Sequence, residues 1–240
     1  MAIKVSLKEL IESGAHFGHQ ARRWNPKMSL YLYGVKEGVH VFDLTKTKEK
    51  LEEALVELEN IAKEGKTILF VGTKKQAKEK IRQIALATES FYINERWLGG
   101  ILTNFEQIKK SIRKLADMKA KMAAGEYKVY TKKERLLIDR EITRLERFFG
   151  GIAAISQIPD CLVVIDTKKE IGSVKEANEK GVEVIGIVDS NSDPTLVDYP
   201  IPMNDDASKA VEYVLELMKE AILTGKQSKS KSKKDEKDNG

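Results

Sequence analysis

The fifteen residues GAHFGHQARRWNPKM, from Gly14 to Met28, crowd two histidines, two arginines, a tryptophan and a lysine into a stretch with no clean helical or strand periodicity. Arg22, Arg23, Trp24, Asn25 and Lys27 set two guanidinium forks, an indole face, an amide and an ammonium within six positions. Guanidinium forks fit phosphate oxygens bidentately and stack on bases. An indole is a platform for bases and cations, and an asparagine can meet a base edge or a sugar hydroxyl. Pro26 stiffens the run and biases Asn25 away from helix. The same residues also suit a surface loop capped by a tryptophan, and the rest of the chain decides between the two.

RWLGGILTN, Arg96 to Asn104, is a second cluster of this kind. Gly99 and Gly100 let the backbone bend or approach something closely, and Arg96, Trp97, Thr103 and Asn104 surround that bend with donors and a second indole. A hinge with Trp97 as its plug is the structural alternative. In VGTKKQAKEK a helix start after Gly72, with Lys74 or Lys75, can hold one phosphate. The run lacks the spacing and second glycine of a phosphate-binding P-loop, and GxGxxG, GxSxG and HExxH are absent from the chain.

His16 and His19 stand three apart, a spacing open to a metal ion. Asp166, Asp189, Asp193, Asp205 and Asp206 fall at expected strand ends or loops, but no periodicity brings them to the histidines. Aspartates at caps and turns have ordinary structural roles. No metal ligand and no cofactor is assigned, and the divalent-cation question stays open at this level. His40 lies inside a strand run and reads as a packed core residue. Cys161, the single cysteine, opens the apolar run CLVVID and reads as an inert buried thiol.

The elements that must position these groups alternate. VHVFDL (39–44), TILFVG (67–72), FYIN (91–94), CLVVID (161–166) and VEVIGIVD (182–189) read as strands, with TILFVG apolar throughout, as in a parallel strand buried on both faces. Leu51, Leu55, Leu58 and Ala62 line one face of a helix ended by Gly65, and Ala77, Ile81, Ile84 and Ala85 mark another. A helix over 170–180 joins the last two strands, and a final helix starts at an Asp205 or Asp206 cap and ends at Gly225. This pattern predicts an α/β fold with a doubly wound parallel sheet.

Residues 105–149 break the rhythm. Phe105, Ile108, Ile112, Leu115, Met118 and Met122, then Ile138, Ile142, Leu145, Phe149 and Ile152, recur at steps of three and four. They predict an inserted antiparallel helical hairpin with a narrow coiled-coil seam. Lys109, Lys110 and Arg113 lie on its outward faces and are candidate RNA contacts beside a purely solvated alternative. The hairpin is expected to be separable from the sheet, and the apolar-free tail 226–240 to be disordered.

Charge is sorted along the chain. The net charge is +5, yet residues 1–30 carry +3, residues 105–149 carry +6 and the tail carries +3, leaving −7 on the body. Three basic appendages around an acidic body point to an anionic polymer held by the appendages. The body's acids, Glu52, Glu53, Glu176 and Glu179 among them, are expected to face outward toward a protein partner. No run approaches the eighteen apolar residues of a membrane span, and Met1 to Leu10 lacks the apolar core of a leader, so a cytoplasmic protein without membrane contact is expected.

Taken in order, GAHFGHQARRWNPKM, YGVKEGVHVFDL, VGTKKQA, RWLGGILTN, PDCLVVID and IGIVDSNSDPTLVDYPIPMNDDA resemble the bacterial small-subunit ribosomal protein number two family, over about residues 3–225. The resemblance implies a non-enzymatic ribosomal component with a flavodoxin-like α/β domain and an inserted helical hairpin. It implies binding to small-subunit ribosomal RNA, contact with other small-subunit proteins, and help in docking the OB-fold messenger-binding protein number one. It carries the RNA-contact reading onto Arg22, Arg23, Trp24, Asn25, Lys27, Lys74, Lys75, Arg96, Trp97 and Asn104. The expected organisation is an RNA-binding arm and first helix (1–30), an α/β domain (31–104 plus 150–225), the hairpin (105–149) and the tail (226–240). Two rivals remain at this level. A nucleotide or small-acid enzyme would use the sheet's crevice but lacks a phosphate loop or an oriented base. A protein-only scaffold would use the hairpin alone.

Overall fold

The computed structural model describes residues 3–238, with side chains to residue 229. Its centre is a five-stranded parallel sheet built from β4 (Ile68–Val71), β5 (Phe91–Ile93), β6 (Cys161–Ile165), β7 (Glu183–Val188) and β8 (Tyr199–Pro202), in the order β5-β4-β6-β7-β8. The sheet reverses direction of growth between β4 and β6. That order is compatible with a flavodoxin-like fold, in which the switch point opens a crevice at the strands' carboxyl ends.

Both faces of the sheet are covered, so its central strands β4 and β6 are apolar throughout and every residue of them is buried. Phe70, Val163 and Ile185 pack on one side with α2 (Leu44–Glu64), α3 (Lys78–Ala87) and α7 (Ser208–Asp238). Leu69, Leu162 and Val184 face the other side, toward α6 (Ile171–Lys180). Asp43 starts α2 by accepting the Thr45 N–H, and Gly65, at φ 78°, ends it in the left-handed conformation.

Three expectations change. VHVF does form a strand, β3 (Val39–Phe42), but it joins β1 (Phe17–Gln20) and β2 (Leu32–Lys36) in a separate antiparallel sheet of order β1-β3-β2. The cause is local: Glu37 and Gly38 both take positive φ, 52° and 77°, a two-residue turn whose twist closes a hairpin. β8 adds to the expected strands, since its two prolines argue against one; it sits at the sheet edge, where a missing donor is tolerated. Finally, α7 does not end at Gly225. A Cβ there would collide with the Glu59 backbone carbonyl, so the glycine lets α7 lie close on α2. The helix then continues through the tail expected to be disordered, as far as Asp238. Lys226 Nζ reaches the Thr88 carbonyl at 2.6 Å and Lys229 Nζ the Glu64 carbonyl at 2.9 Å.

The insertion is two helices, α4 (Phe105–Ala123) and α5 (Lys132–Phe149), after α1 (Leu7–Glu12) the remaining helices of the described chain. Their bases are not separate from the sheet. Phe105, Ile108, Ile112, Leu115, Ile142, Leu145 and Phe149 are buried in one cluster with Leu69, Val71 and Leu162. The base of the hairpin thus joins the buried layer on this face of the sheet, a continuity its sequence does not announce.

Candidate nucleic-acid interface

The N-terminal arm is fixed to the end of β7 through Ser190. His19 N–H donates to Ser190 Oγ at 2.8 Å, and Asn25 N–H donates to the Ser190 carbonyl at 2.8 Å. Gly18 makes this approach feasible, since a Cβ there would lie 2.8 Å from Ser190 Oγ. The two anchors bracket Ala21–Arg23, a single 3-10 turn that holds Arg22 and Arg23 exposed. Arg22 Nε donates to Gln20 Oε1 at 3.1 Å, a contact on the surface that leaves the rest of the fork toward solvent.

The neighbouring side chains are tied into the fold. Asn25 Oδ1 accepts the Lys27 N–H at 3.0 Å and caps the next 3-10 turn, whose Met28 is fully buried. Lys27 Nζ pairs with Asp193 at 2.6 Å and Thr195 Oγ1 at 3.0 Å. Trp24 lays one face against the buried His40, ring centres 4.9 Å apart, and is 37% exposed. Asn25 and Lys27 thus shape the arm, and Trp24 offers at most its outer side.

Lys74 is the clearest departure from the phosphate reading. Its ammonium points into the crevice at the carboxyl end of the sheet and meets Asp166 at 3.0 Å, Asp205 at 2.6 Å and Asp206 at 2.5 Å. Burial opposes its charge, yet the three carboxylates together raise its pKa. His19 closes the same cluster, Nδ1 on Asp189 at 2.9 Å and Nε2 3.7 Å from Asp206. The Asp189 hydrogen bond raises the His19 pKa against burial. Burial, with Asp189 and Asp166 nearby, pushes Asp205 up to about 8 despite Lys74. A lysine thus stands where the aspartates converge, and among the described residues no group of three or more His, Cys, Asp or Glu is arranged to hold a metal ion. His16 takes no part: it stacks on Phe17 at 4.0 Å, and its Nδ1 is buried without a hydrogen-bond partner. Lys75, next in sequence, is exposed.

The RWLGG bend is organised by a residue that carries no local signal in the sequence. Glu176 Oε1 accepts the Trp97 indole N–H at 3.0 Å and the Gly100 N–H at 2.8 Å. Its Oε2 accepts Leu102 N–H, Thr103 N–H and the Thr103 hydroxyl at 3.0, 3.2 and 3.1 Å. Burial works against the charge, but these donors hold the carboxyl below the usual glutamate range. Trp97 is therefore the plug of a hinge, and Glu176 faces inward, contrary to the expected outward acid. Nothing in a lone helical glutamate announces partners more than seventy residues away. Gly100, at φ 93°, makes the bend that leads into α4. Arg96 and Asn104 remain exposed, with Asn104 at the N-cap position of α4 but making no side-chain cap.

On the hairpin, Lys110 and Arg113 are exposed, whereas Lys109 pairs with Glu106 at 3.1 Å and lies 5.1 Å over the Phe105 ring. Arg147 and Lys78 both bind Glu95, at 2.6 and 3.1 Å, tying the hairpin base to α3. Of the candidate cations, those left outward are Arg22 and Arg23 on the arm, Lys75 after β4, Arg96 at the bend, and Lys110 and Arg113 on the hairpin. The sequence model of ribosomal protein S2 matches residues 10–225 of the chain.

The chain belongs to the ribosomal protein S2 family. The match takes in arm, sheet and hairpin together. Family membership makes this a structural protein of the small ribosomal subunit, working in translation among ribosomal RNA and other ribosomal proteins. The family is one of structural proteins and not an enzyme family. Among the described residues no helix is long and apolar enough to cross a membrane.

Proposed function

We propose that this protein binds small-subunit ribosomal RNA through three surfaces, and that its body helps dock the messenger-binding protein number one of the cytoplasmic ribosome. The carrying observation is Arg22 and Arg23, exposed on a turn whose two ends are pinned to Ser190. Two exposed guanidinium groups on a fixed backbone are preorganised for phosphate. Lys75, Arg96, Asn104, Lys110 and Arg113 extend the contact to the bend and the hairpin. Asn25, Lys27, Lys74 and Trp97 support those surfaces by positioning the backbone, Lys109 adds its charge to the hairpin face, and Trp24 stacks through its free side. The apolar repeat of α4 and α5 supports a short coiled-coil seam that carries the basic faces outward.

The docking role rests on the acidic body and on the family. Exposed Glu49 and Val56 and half-buried Glu57 on α2, beside Glu52 and Glu53 paired to Lys48 and Lys50 at 3.8 and 2.7 Å, suit a basic partner able to compete for those carboxylates. Sedimentation of tagged protein in a lysate gradient tests the reading: co-migration with small subunits is expected, and a slow free peak overturns it. Reversing Glu52 and Glu53 to lysine should leave subunit entry intact while lowering occupancy of the messenger-binding partner. Unchanged occupancy removes that face from the docking role.

A further inference from the structure

The far end of the hairpin carries a recess that lies outside the sequence motifs of the arm, the bend and the sheet. α4 stops where Gly125 takes φ 76°, and the chain turns back through the 3-10 turn Glu126–Val129. That turn returns Tyr127 toward the helix it has just left. A capping box fixes the other side: Thr131 Oγ1 accepts the Glu134 N–H, and the Glu134 carboxylate accepts the Thr131 N–H at 2.9 Å. The tip is thus built by local capping at both ends.

Tyr127 and Met118 meet there with Lys110, Arg113, Lys121 and Asp117 around a recess of about 380 Å³. Tyr127 is half-buried and braced edge-on by Tyr130, ring centres 5.8 Å apart. Lys114, also at the recess, is occupied by Glu141 at 2.9 Å. The cations stand at helical spacings along α4, and Asp117 is the one carboxylate among the lining residues. A flat apolar floor with a cationic rim suits a ligand that is planar and uncharged at its centre and anionic at its edge.

We propose that this recess seats one unstacked nucleotide of RNA, its base against Tyr127 and Met118 and its flanking phosphates toward Lys110, Arg113 and Lys121. The inference rests on the RNA-binding reading above and names the kind of RNA the hairpin takes. A nucleotide in a loop or bulge can turn its base into such a recess, whereas a paired base in an A-form helix cannot. Stacking on an aromatic ring is tolerant of base identity, so the recess reads the unstacked state more than the sequence. An acidic protein segment would meet the rim but would leave the ring floor without a planar partner.

Full-length protein titrated onto small subunits lacking it, with 2′-hydroxyl acylation of the ribosomal RNA as readout, tests this. Tyr127→Ala should weaken occupancy about 5- to 100-fold and restore reactivity at one unpaired nucleotide, leaving the rest of the footprint in place. Tyr127→Phe, which keeps the ring, should bind and protect as the wild type does. Unchanged helical circular dichroism and Tm in both variants exclude a folding defect, as expected for a side chain at the hairpin tip. A wild-type footprint and occupancy for Tyr127→Ala would overturn the recess while leaving the RNA reading intact. Absence of any protected ribosomal RNA with wild-type protein would overturn both.

Discussion

Glu176 Oε1 accepts the Trp97 indole N–H at 3.0 Å, joining α6 to the bend that launches the hairpin. The same carboxylate accepts three backbone amides and the Thr103 hydroxyl. One acid therefore sets the path of the loop through which the insertion leaves the sheet.

Replacing Glu176 by alanine leaves those donors without their acceptor. Urea denaturation should show a loss of about 2–4 kcal/mol, and Trp97→Phe a smaller loss of about 1 kcal/mol. Because the folded carboxyl titrates below the usual range, its contribution is present above the unfolded pKa and fades as pH falls through the folded one. Reduced RNA affinity in Trp97→Phe with unchanged stability would instead place the indole at the interface.

The crevice cluster gives stability the opposite slope. His19 and Asp205 both have raised pKa values in the folded state, so the fold binds more protons there than the unfolded chain. The contribution is complete below each group's unfolded pKa and is lost as pH rises through the folded one. Through Asp205 the loss extends to about pH 8. Urea midpoints should fall from about pH 5 to about pH 8.5, and the fall should shrink in Asp205→Asn and in His19→Asn. An identical slope in both variants would show that other groups govern it.

Binding to subunits lacking the protein should weaken steeply with salt as counterions are released. Arg22→Ala with Arg23→Ala should flatten the slope by about one unit for each phosphate that is no longer neutralised. A double variant with the wild-type slope would place both arginines outside the interface.

Excising residues 106–148 should yield a molten product, because Ile108, Ile112, Leu115, Ile142 and Leu145 share a cluster with the sheet residues Leu69, Val71 and Leu162. Removing only the distal residues 119–136 should spare that cluster and preserve near-ultraviolet dichroism. Native dichroism after the full excision would show that the sheet closes without the hairpin.

Much of the fold is legible from local pattern. Fully apolar runs such as TILFVG and CLVVID announce strands covered on both faces, and the three-and-four spacing from Phe105 announces paired helices. The short antiparallel sheet is not legible as such, because β3 looks like its parallel neighbours until the Glu37-Gly38 turn pairs it with β2. The prolines of Tyr199–Pro202 hide an edge strand for a related reason: a proline's missing donor matters only once its neighbours are known.

The candidate site divides along the same line. Composition and spacing alone place Arg22, Arg23, Lys110 and Arg113 on the surface, because a long cationic side chain on an outward face stays in solvent unless a distant partner reaches it. They are not enough for Lys74, Trp97 or Lys27, whose donors are satisfied by Asp205, Glu176 and Asp193 from distant parts of the chain. Whether a polar side chain faces a ligand or completes the fold depends on which partners the folded chain brings within hydrogen-bonding reach. Residue type and spacing carry the chemistry a side chain can do; only the packing of β4, β7 and α6 decides whether that chemistry is already used inside the protein.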